Sequence, residues 1–362
     1  MLTKEGCEAR RARLWNLLGK SWILPEIVLS DPIHLRYFAN FHVEPFHLGA
    51  DFGGVLILRS NGENILISDT RLPAPTKQCH VDQHISLSWY DGQSPGKGPR
   101  RTFLTKEVQK YAPRIDDGLL APNAGLLYDT ITQMRRQKDS DEITLLKKCM
   151  KLGEIGHAWA LQHVQAGMTE LDVYLGIFQA VAQHEGSAQV LYGDFAVSPG
   201  SARRGGPPTR QVLQNGDMLI LDFSVVHFGY RCDFTNTIVV GGHPTADQMR
   251  LYDACTAAMQ AGEAELRANA ECQRVYDAVA GKLQEYGLQD YFPHHAGHGL
   301  GIQHPETPYF VKASSETLLA GDVVTLEPGV YVDGIGGIRI EHNYLITDAG
   351  FERLSNHEIK LV

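Results

Sequence analysis

Acidic side chains interrupt apolar segments of the chain from residue 221 onward. The segments are LDFSVVHFGYRCDFTNT, HHAGHGLGIQHPE, TLEPGVY and GIRIEHN, and the residues of interest in them are Asp222, Asp233, His298, Glu327 and Glu341. A buried carboxylate without a partner is costly, and four that lie close together repel one another. Any fold that buries these segments must therefore also neutralise the carboxylates.

The spacing of the carboxylates predicts that they meet in pairs on hairpins. Asp222 ends the apolar run MLILDF, and Asp233 follows eleven residues later, past Gly229, in a second β-rich run. Glu327 and Glu341 repeat this arrangement around DGIGG, with VVTLEPGVYV and GIRIEHNYLI as the strands. Paired antiparallel strands can present both carboxylates of a pair to one pocket.

A pair of divalent cations would neutralise this cluster. His298 lies between glycines in AGHGLG, where the missing side chains let other groups approach the imidazole. Oxygen-rich ligands with one imidazole suit Mn, Co, Fe or Zn, and two such cations about 3.5–4 Å apart generate hydroxide near neutral pH. Any one acidic residue alone is more often a turn cap or a surface residue. The occurrence of all five residues in order predicts a metal-dependent hydrolase.

Length and composition argue against several other classes. The 362 residues suffice for about two domains, and the net charge of −9 argues against a sequence-independent hold on nucleic acid. The six cysteines have no CxxC spacing and are interpreted as reduced thiols. No segment approaches the ~18 apolar residues of a membrane span, and the first residues lack a signal-peptide core. We therefore expect a cytoplasmic protein that binds neither membranes nor nucleic acid.

The pattern of secondary structure changes near residue 136. Residues 1–135 alternate short helices and strands, including a helix at 4–18 and a hairpin around Asn-Gly in GGVLILRSNGENILISD. Residues 136–362 begin at a helix-start signal, Ser140-Asp141-Glu142, and combine long helices with strand pairs. We predict an α/β domain at 1–135 and an α+β catalytic domain at 136–362. In the second domain the predicted helices are 141–164, 170–184, 246–268 and 273–286, and the predicted strands are 213–226, 232–240, 294–301, 323–332 and 337–347.

The C-terminal motifs resemble those of the pita-bread metallopeptidases, which include aminopeptidase P, prolidase, methionine aminopeptidase and, as a metal-free relative, creatinase. The resemblance covers nearly the whole chain. SDPIHLRYFANF resembles a stretch of the creatinase/prolidase-type N-terminal domain, and Asp141-Glu142-Ile143 resembles the start of the catalytic domain. The resemblance implies an α+β fold in which a creatinase/prolidase-type N-terminal α/β domain precedes a pita-bread catalytic domain.

The resemblance also implies a role for each metal ligand. Asp222 would contribute to one metal, and Asp233 would bridge both. His298 and Glu327 would ligate the same metal, and Glu341 would bridge. Hydroxide bound between two divalent ions, of which manganese is the first expectation and Co, Fe or Zn the alternatives, would attack the substrate. Glu327 would act as its general base.

Other residues match family positions around the metals. Thr235 and Arg339 match positions that orient the ligands. His294 matches a histidine near the substrate, and Glu306 matches the acidic partner of a second substrate-facing histidine. These residues would support catalysis and substrate binding.

The two substrate-facing histidines of the proline-specific peptidases have no direct counterpart. Segment 198–217, ahead of the first ligand, contains no histidine, and Pro305 stands where the second one belongs. His304 lies one residue early, and a shifted backbone would let it serve. Arg203 and Arg204, near the first missing histidine, are either solvated loop residues or ligands for a carboxylate or phosphate of a small substrate.

The sequence leaves more than one function open. The first is a dinuclear metal-dependent hydrolase that resembles Xaa-Pro dipeptidase or aminopeptidase P and attacks an amide C–N bond. The alternative is a non-peptidase metal enzyme, a hydrolase or lyase of a small carboxylate-bearing compound, which the missing histidines favour. A catalytically silent binding module is disfavoured because all five ligands are retained. The family resemblance also implies a homodimer, in which the loop 41–47 (FHVEPFH) would line the partner's active site.

Overall fold

The computed structural model describes residues 1–43, 45–46, 53–69, 78–112, 114–118 and 120–362. The chain forms two compact units, Met1–Arg135 with Asp139–Asp141, and Arg136–Lys138 with Glu142–Val362. Positions 44 and 47 of the loop 41–47 lie outside the described residues. The role of that loop at a partner's site therefore stays a prediction.

The first unit is built on a four-stranded sheet in the order β1-β2-β3-β4, antiparallel except for the parallel pair β3–β4. Its strands are β1 (Glu26–Leu29), β2 (Val55–Arg59), β3 (Asn64–Asp69) and β4 (Gln83–Leu87). Its helices are α1 (Lys4–Leu18), α2 (Pro32–Ala39), α3 (Arg100–Val108) and α4, which runs from Ala124 to Arg136. The predicted helix at 4–18 and the predicted hairpin are confirmed.

Local sequence signals explain where the elements of this unit begin and how the sheet is covered. The Thr3 side chain caps α1, and Asp31 caps α2 just ahead of Pro32. Neighbouring residues of β2 face opposite sides, because side chains alternate along a strand. Leu56 belongs to the apolar cluster that includes residues of α1 and α2, whereas Ile57 belongs to the cluster that includes residues of α3.

The second unit contains the four long helices and three groups of strands. The helices are α5 (Ser140–His163), α6 (Glu170–Glu185), α7 (Ala246–Glu263) and α8 (Cys272–Glu285). One sheet contains β5 (Val190–Val197), β6 (Met218–His227), β7 (Tyr230–Arg231) and β8 (Phe234–Val239), with β5, β7 and β8 all paired to β6. A second has the order β10-β9-β11-β14-β15 and contains β9 (Gly297–Gly299), β10 (Glu306–Phe310), β11 (Val323–Leu326), β14 (His342–Ile346) and β15 (Phe351–Arg353). The third is the hairpin of β12 (Gly329–Val332) and β13 (Gly336–Arg339).

Two of the predicted strands are each broken in two. The segment predicted as one strand at 323–332 divides into β11 and β12, which belong to different sheets, and 337–347 divides into β13 and β14. Pro328 explains the first break, because proline lacks an N–H for the ladder and restricts the residue before it. The strand predicted at 213–226 begins only at Met218, because Gly216 adopts a left-handed turn conformation. Both breaks at 323–347 leave an acidic residue, Glu327 or Glu341, just beyond a strand end.

Among the helices in the described ranges, none combines the length and the apolar character that a membrane crossing requires.

Candidate metal centre

The pairing of β6 with β8 presents the first two acidic residues. Asp222 lies opposite Thr235 in this antiparallel pair, and Asp233 immediately precedes β8. The backbone of Asp233 is held by the side chain of Asn343, which accepts a hydrogen bond from its N–H at 3.1 Å and donates one to its carbonyl. The predicted arrangement of these two carboxylates on one hairpin is therefore confirmed.

Histidines face the carboxylate of Asp233. His304 Nε2 donates to Asp233 Oδ2 at 2.6 Å, and His298 Nε2 lies 3.6 Å from the same oxygen. Although burial opposes ionisation, the hydrogen bond from His304 holds the pKa of Asp233 below its usual value. The position of His304 one residue early in the sequence therefore does not keep its ring out of the site.

Thr325 links His298 to Glu327. The Thr325 hydroxyl accepts a hydrogen bond from the His298 N–H at 3.1 Å and donates to Glu327 Oε1 at 3.0 Å. His298 Nδ1 donates to the carbonyl of Gly299 at 2.9 Å, which leaves Nε2 as the acceptor in the neutral ring. His298 Nε2 lies 3.5 Å from Glu327 Oε1. This tautomer turns a nitrogen lone pair toward the carboxylates, as a metal ligand requires.

The glycines that flank His298 serve the sheet. A Cβ on Gly297 would overlap the carbonyl oxygen of Thr325, and a Cβ on Gly299 would overlap that of Thr307. Their absence lets the neighbouring strands approach the backbone of β9. The predicted effect, room beside the imidazole itself, is replaced by room beside its backbone.

Glu341 supplies the observation that tests whether cations fit. Thr235 Oγ1 donates to Glu341 Oε2 at 2.7 Å, and the Glu341 N–H donates to the Thr235 carbonyl at 3.1 Å. Glu341 Oε1 is buried and has no hydrogen-bond partner among the described residues. A buried carboxylate oxygen without a proton donor is costly, and a cation satisfies it.

Repulsion within the cluster points the same way. Burial raises the pKa of Asp222 to about 6 even though the positive charge of Arg339 opposes the rise. Burial and then repulsion from Asp222 and Asp233 raise the pKa of Glu327 well above its usual value, and burial likewise raises the pKa of Glu341. Two triads could each hold a metal ion, because within each triad the ligand atoms lie within 4.8 Å of one another. One triad is Asp233, His298 and His304, and the other is Asp222, Glu327 and Glu341. The donor set therefore fits divalent cations.

Arg339 orients Asp222 from the side of the cluster. Its Nε donates to Asp222 Oδ2 at 2.7 Å, one terminal nitrogen donates to Tyr331 Oη at 2.6 Å, and the other donates to Asp194. The Arg204 carbonyl accepts a further bond at 3.2 Å. Four acceptors therefore hold the guanidinium, so that Arg339 positions its neighbours and has little capacity left for a substrate.

His294 is tied to the same network through Tyr331. Its Nδ1 donates to the carbonyl of His295 at 2.7 Å, so its Nε2 accepts from the Tyr331 hydroxyl at 3.1 Å. Burial, with the positive charge of Arg339 next, lowers the pKa of His294 to about 3. His294 is therefore neutral near pH 7.

These groups line a cavity of about 560 Å³, which is within the ~300–1,000 Å³ range of small-molecule sites. Arg204 lines this cavity, whereas the other two predicted substrate residues do not. Arg203 donates to both carboxylate oxygens of the buried Glu170, at 2.7 and 2.9 Å. Glu306 accepts from Lys138 Nζ at 2.9 Å. The structure thus distinguishes Arg204 from Arg203 and Glu306, each of which is engaged in an ion pair with a residue outside the cavity lining.

The cavity also contains residues that sequence reasoning missed, namely Asp194, His295 and Tyr331. Asp194 lies directly opposite Asp222 in the β5–β6 pair, and its Oδ1 accepts from the Gly206 N–H at 2.8 Å. A lone acidic residue in the apolar run YGDFAV was the available signal for Asp194. A Cβ on Gly205 would overlap the Asp194 carboxylate, so this aspartate occupies space that a side chain at position 205 would need.

Comparison with known proteins agrees with this description. Residues 144–348 match the sequence profile described as metallopeptidase family M24. An uncharacterized peptidase of Staphylococcus aureus is 27% identical over 345 residues, which cover 91% of this chain and 94% of the relative.

Solved structures match over the whole chain. A Xaa-Pro dipeptidase from Bacillus anthracis superposes with a TM-score of 0.81 at 23% identity, covering 98% of this chain and 99% of that one. The dipeptidase PepE from Mycobacterium ulcerans superposes with a TM-score of 0.77 at 25% identity, covering 100% and 99% of the two chains. These matches confirm the predicted α+β pita-bread fold.

Proposed function

Because this chain belongs to metallopeptidase family M24, we propose that it cleaves the amide bond of small peptides with the help of two divalent cations. The observation that carries the proposal is the buried, partnerless Glu341 Oε1 within a cluster of four carboxylates. A metallohydrolase needs such a cluster, whereas a protein without cations would have to bear its repulsion unrelieved.

The proposed ligands are the five residues of the C-terminal motifs, namely Asp222, Asp233, His298, Glu327 and Glu341. When bound, such a pair of cations lowers the pKa of water to near 7 and polarises the substrate carbonyl. Manganese remains the first expectation for the metal, with Co, Fe or Zn as alternatives.

Glu327 is the proposed general base. Its Oε1 is held by the Thr325 hydroxyl at 3.0 Å, and the residue borders the cavity. In this position the carboxylate would take the proton of the attacking water and pass it to the leaving amine. Proton transfer of this kind contributes about 10²–10⁴-fold to the rate.

His304 is the proposed substrate-facing histidine. Its ring lines the cavity and is 28% exposed, and its Nε2 bonds to Asp233. This position of the ring supports the prediction that His304 serves in place of the family histidine that Pro305 replaces. The first substrate-facing histidine of the family has no counterpart in segment 198–217. In this segment Gly205 borders the cavity beside Asp194.

The comparisons favour a peptidase over the non-peptidase alternative. The solved relatives named above are a Xaa-Pro dipeptidase and a dipeptidase, and the Staphylococcus aureus relative is an uncharacterized peptidase. We therefore propose dipeptides as substrates and keep Xaa-Pro dipeptides as the first to be measured.

A panel of dipeptides and tripeptides, with and without proline, tests the proposal on the purified protein loaded with Mn²⁺. We expect cleavage of at least one dipeptide, loss of cleavage on chelation, and two metal equivalents per chain by elemental analysis. A fully metal-loaded sample that cleaves no peptide of the panel would refute the proposal. Light scattering on the same sample tests the expected homodimer.

A further inference from the structure

Two adjacent arginines, Arg203 and Arg204, have opposite surroundings in the loop between β5 and β6. The guanidinium of Arg203 donates to both oxygens of Glu170, whose carboxylate is also bound by the Thr209 hydroxyl at 2.6 Å and the Val197 N–H at 2.8 Å. Arg203 therefore belongs to a closed structural network. Arg204 points to the cavity instead.

The guanidinium of Arg204 has no acidic partner among the described residues. Its Nε donates one long bond of 3.4 Å to the Ser201 carbonyl, and its centre lies 6.0 Å from the centroid of the Tyr331 ring. An arginine has five N–H donors. Most of the donor capacity of Arg204 therefore remains for a ligand.

The backbone of Arg204 is held beside the metal ligands. Its carbonyl accepts from Arg339 at 3.2 Å, and Arg339 in turn bonds Asp222 at 2.7 Å. The next residue, Gly205, also borders the cavity, and a Cβ there would overlap the Asp194 carboxylate. The backbone from which the Arg204 side chain extends is thus tied to the proposed catalytic centre through two hydrogen bonds.

Of the two arginines in the described lining of the cavity, Arg204 is the one left to bind an anion. Arg339 is occupied by Asp222, Asp194 and Tyr331, and Asp194 is itself occupied by Arg339 and the Gly206 N–H. Among the described residues that line the cavity, Arg204 is the one arginine without a carboxylate partner. A planar guanidinium in this state matches a carboxylate with two parallel hydrogen bonds.

We propose that Arg204 binds the free carboxylate of the substrate and thereby selects peptides that end close to the scissile bond. This inference rests on the proposed function and extends it to a substrate class, dipeptides with a free C-terminal carboxylate. A longer peptide or a C-terminal amide would place an uncharged group against the guanidinium and would lose the paired hydrogen bonds.

The experiment compares a cleaved dipeptide with its C-terminal amide in the wild-type protein and three variants. Arg204→Ala removes the guanidinium but keeps the backbone carbonyl that Arg339 needs, and Arg204→Lys keeps the charge without the fork. Arg210→Ala, at an exposed position of the same loop, is the matched control.

We expect wild type to prefer the free acid over the amide by about 10- to 100-fold in kcat/KM, the usual range for a charge-assisted contact. Arg204→Ala should lose this preference, mainly through a higher KM for the acid. Arg204→Lys should be intermediate, and Arg210→Ala should behave as wild type.

Equal rates of wild type on acid and amide, or an unchanged preference in Arg204→Ala, would overturn the carboxylate site and leave the peptidase proposal intact. If no peptide is cleaved, the peptidase proposal fails, and calorimetric titration with alanylproline and its amide decides the inference. Tighter binding of the acid that disappears in Arg204→Ala would support it. Equal binding of both, or no binding, would overturn it.

Discussion

The second unit contains two clusters of histidines with different surroundings. The cavity cluster consists of His295, His298 and His304, whose rings lie 4.9–5.3 Å apart in successive pairs. The buried cluster consists of His157, His342 and His357, in which His357 lies 4.8 Å from His157 and 4.6 Å from His342. Each cluster forms hydrogen bonds to the same stretch of chain: the buried cluster to residues of β8, and the cavity cluster to Asp233, which precedes β8.

The buried cluster is bonded to neutral acceptors and hydroxyls. His157 Nε2 bonds the Phe234 carbonyl at 3.0 Å, His357 Nε2 bonds the Thr235 carbonyl at 3.1 Å, and His342 Nδ1 bonds Ser355 Oγ at 2.9 Å. Burial lowers the pKa of His157 to about 3 and holds the pKa of His357 well below its usual value. These rings are neutral packing groups.

The cavity cluster faces carboxylates instead. His304 and His298 lie 2.6 and 3.6 Å from Asp233 Oδ2, and His295 Nδ1 lies 3.4 Å from Glu327 Oε1. The comparison teaches that the hydrogen-bond partners and the access to a cavity, not the residue type, distinguish the histidines proposed to act on substrate or metal from those that only pack. The following predictions test this distinction, in order of decreasing expected effect.

The largest effect is expected for Glu327→Gln, which keeps the shape of the side chain and removes the proposed base. We expect kcat to fall by about 10²–10⁴-fold at saturating metal, and because Glu327 is also a proposed ligand, the rise in melting temperature on adding metal should become smaller. Steady-state kinetics and differential scanning calorimetry measure both. The control is Glu285→Gln, which alters an exposed carboxylate paired with Lys282 and should leave kcat unchanged.

Truncating one histidine from each cluster should separate stability from activity. His357→Ala leaves a cavity and removes one of the two hydrogen bonds to the Thr235 carbonyl, so we expect a loss of about 2–4 kcal/mol in the free energy of unfolding. His304→Ala, at a position 28% exposed, should lower that free energy by less than His357→Ala does but should slow peptide cleavage. Urea denaturation and kinetics on both variants check the pair; a reversed pattern would refute the distinction.

Metal removal should act through the carboxylates of the cavity. A free metal concentration about 100 times the dissociation constant adds about 2.7 kcal/mol to the free energy of unfolding, and chelation of the metal removes this contribution. In Glu341→Gln the gain in stability on adding metal should shrink, because the neutral amide lacks the buried charge that a cation would offset. Thermal melts with and without chelator measure both gains. An undiminished gain in the variant would argue against Glu341 as a ligand.

Acid should destabilise the folded protein through the histidines of the buried cluster. His157 has a pKa of about 3 in the folded protein against an ordinary value of 6.5, so below pH 6.5 the unfolded chain binds a proton that the folded protein does not. The contribution of neutral His157 to the free energy of unfolding is therefore complete above pH 6.5. Below pH 6.5 this contribution falls by about 1.4 kcal/mol per pH unit. His157→Phe should flatten this slope. Denaturation midpoints between pH 7.5 and 5 measure the difference between variant and wild type.

Much of the candidate site could be predicted because its residues occupy unusual positions in the sequence. Asp222, Asp233, Glu327 and Glu341 interrupt apolar runs, and the structure brings their carboxylates together. The ion-pair partners of charged residues in loops could not be predicted in this way. Arg203 bonds Glu170, which is 33 residues distant in the chain, and no local pattern indicates such a pair.

The sequence by itself determined which ionisable residues this protein must bury, because carboxylates and a histidine interrupt its apolar segments. It also determined the order of helices and strands in outline. Only the tertiary structure decided which side chains face the cavity. It separated Arg204 from Arg203, placed Asp194 against Gly205 and brought the ring of His304 to Asp233. The reason is physical: burial cost depends on residue type, which the sequence contains, whereas hydrogen-bond partners depend on strand register and loop path.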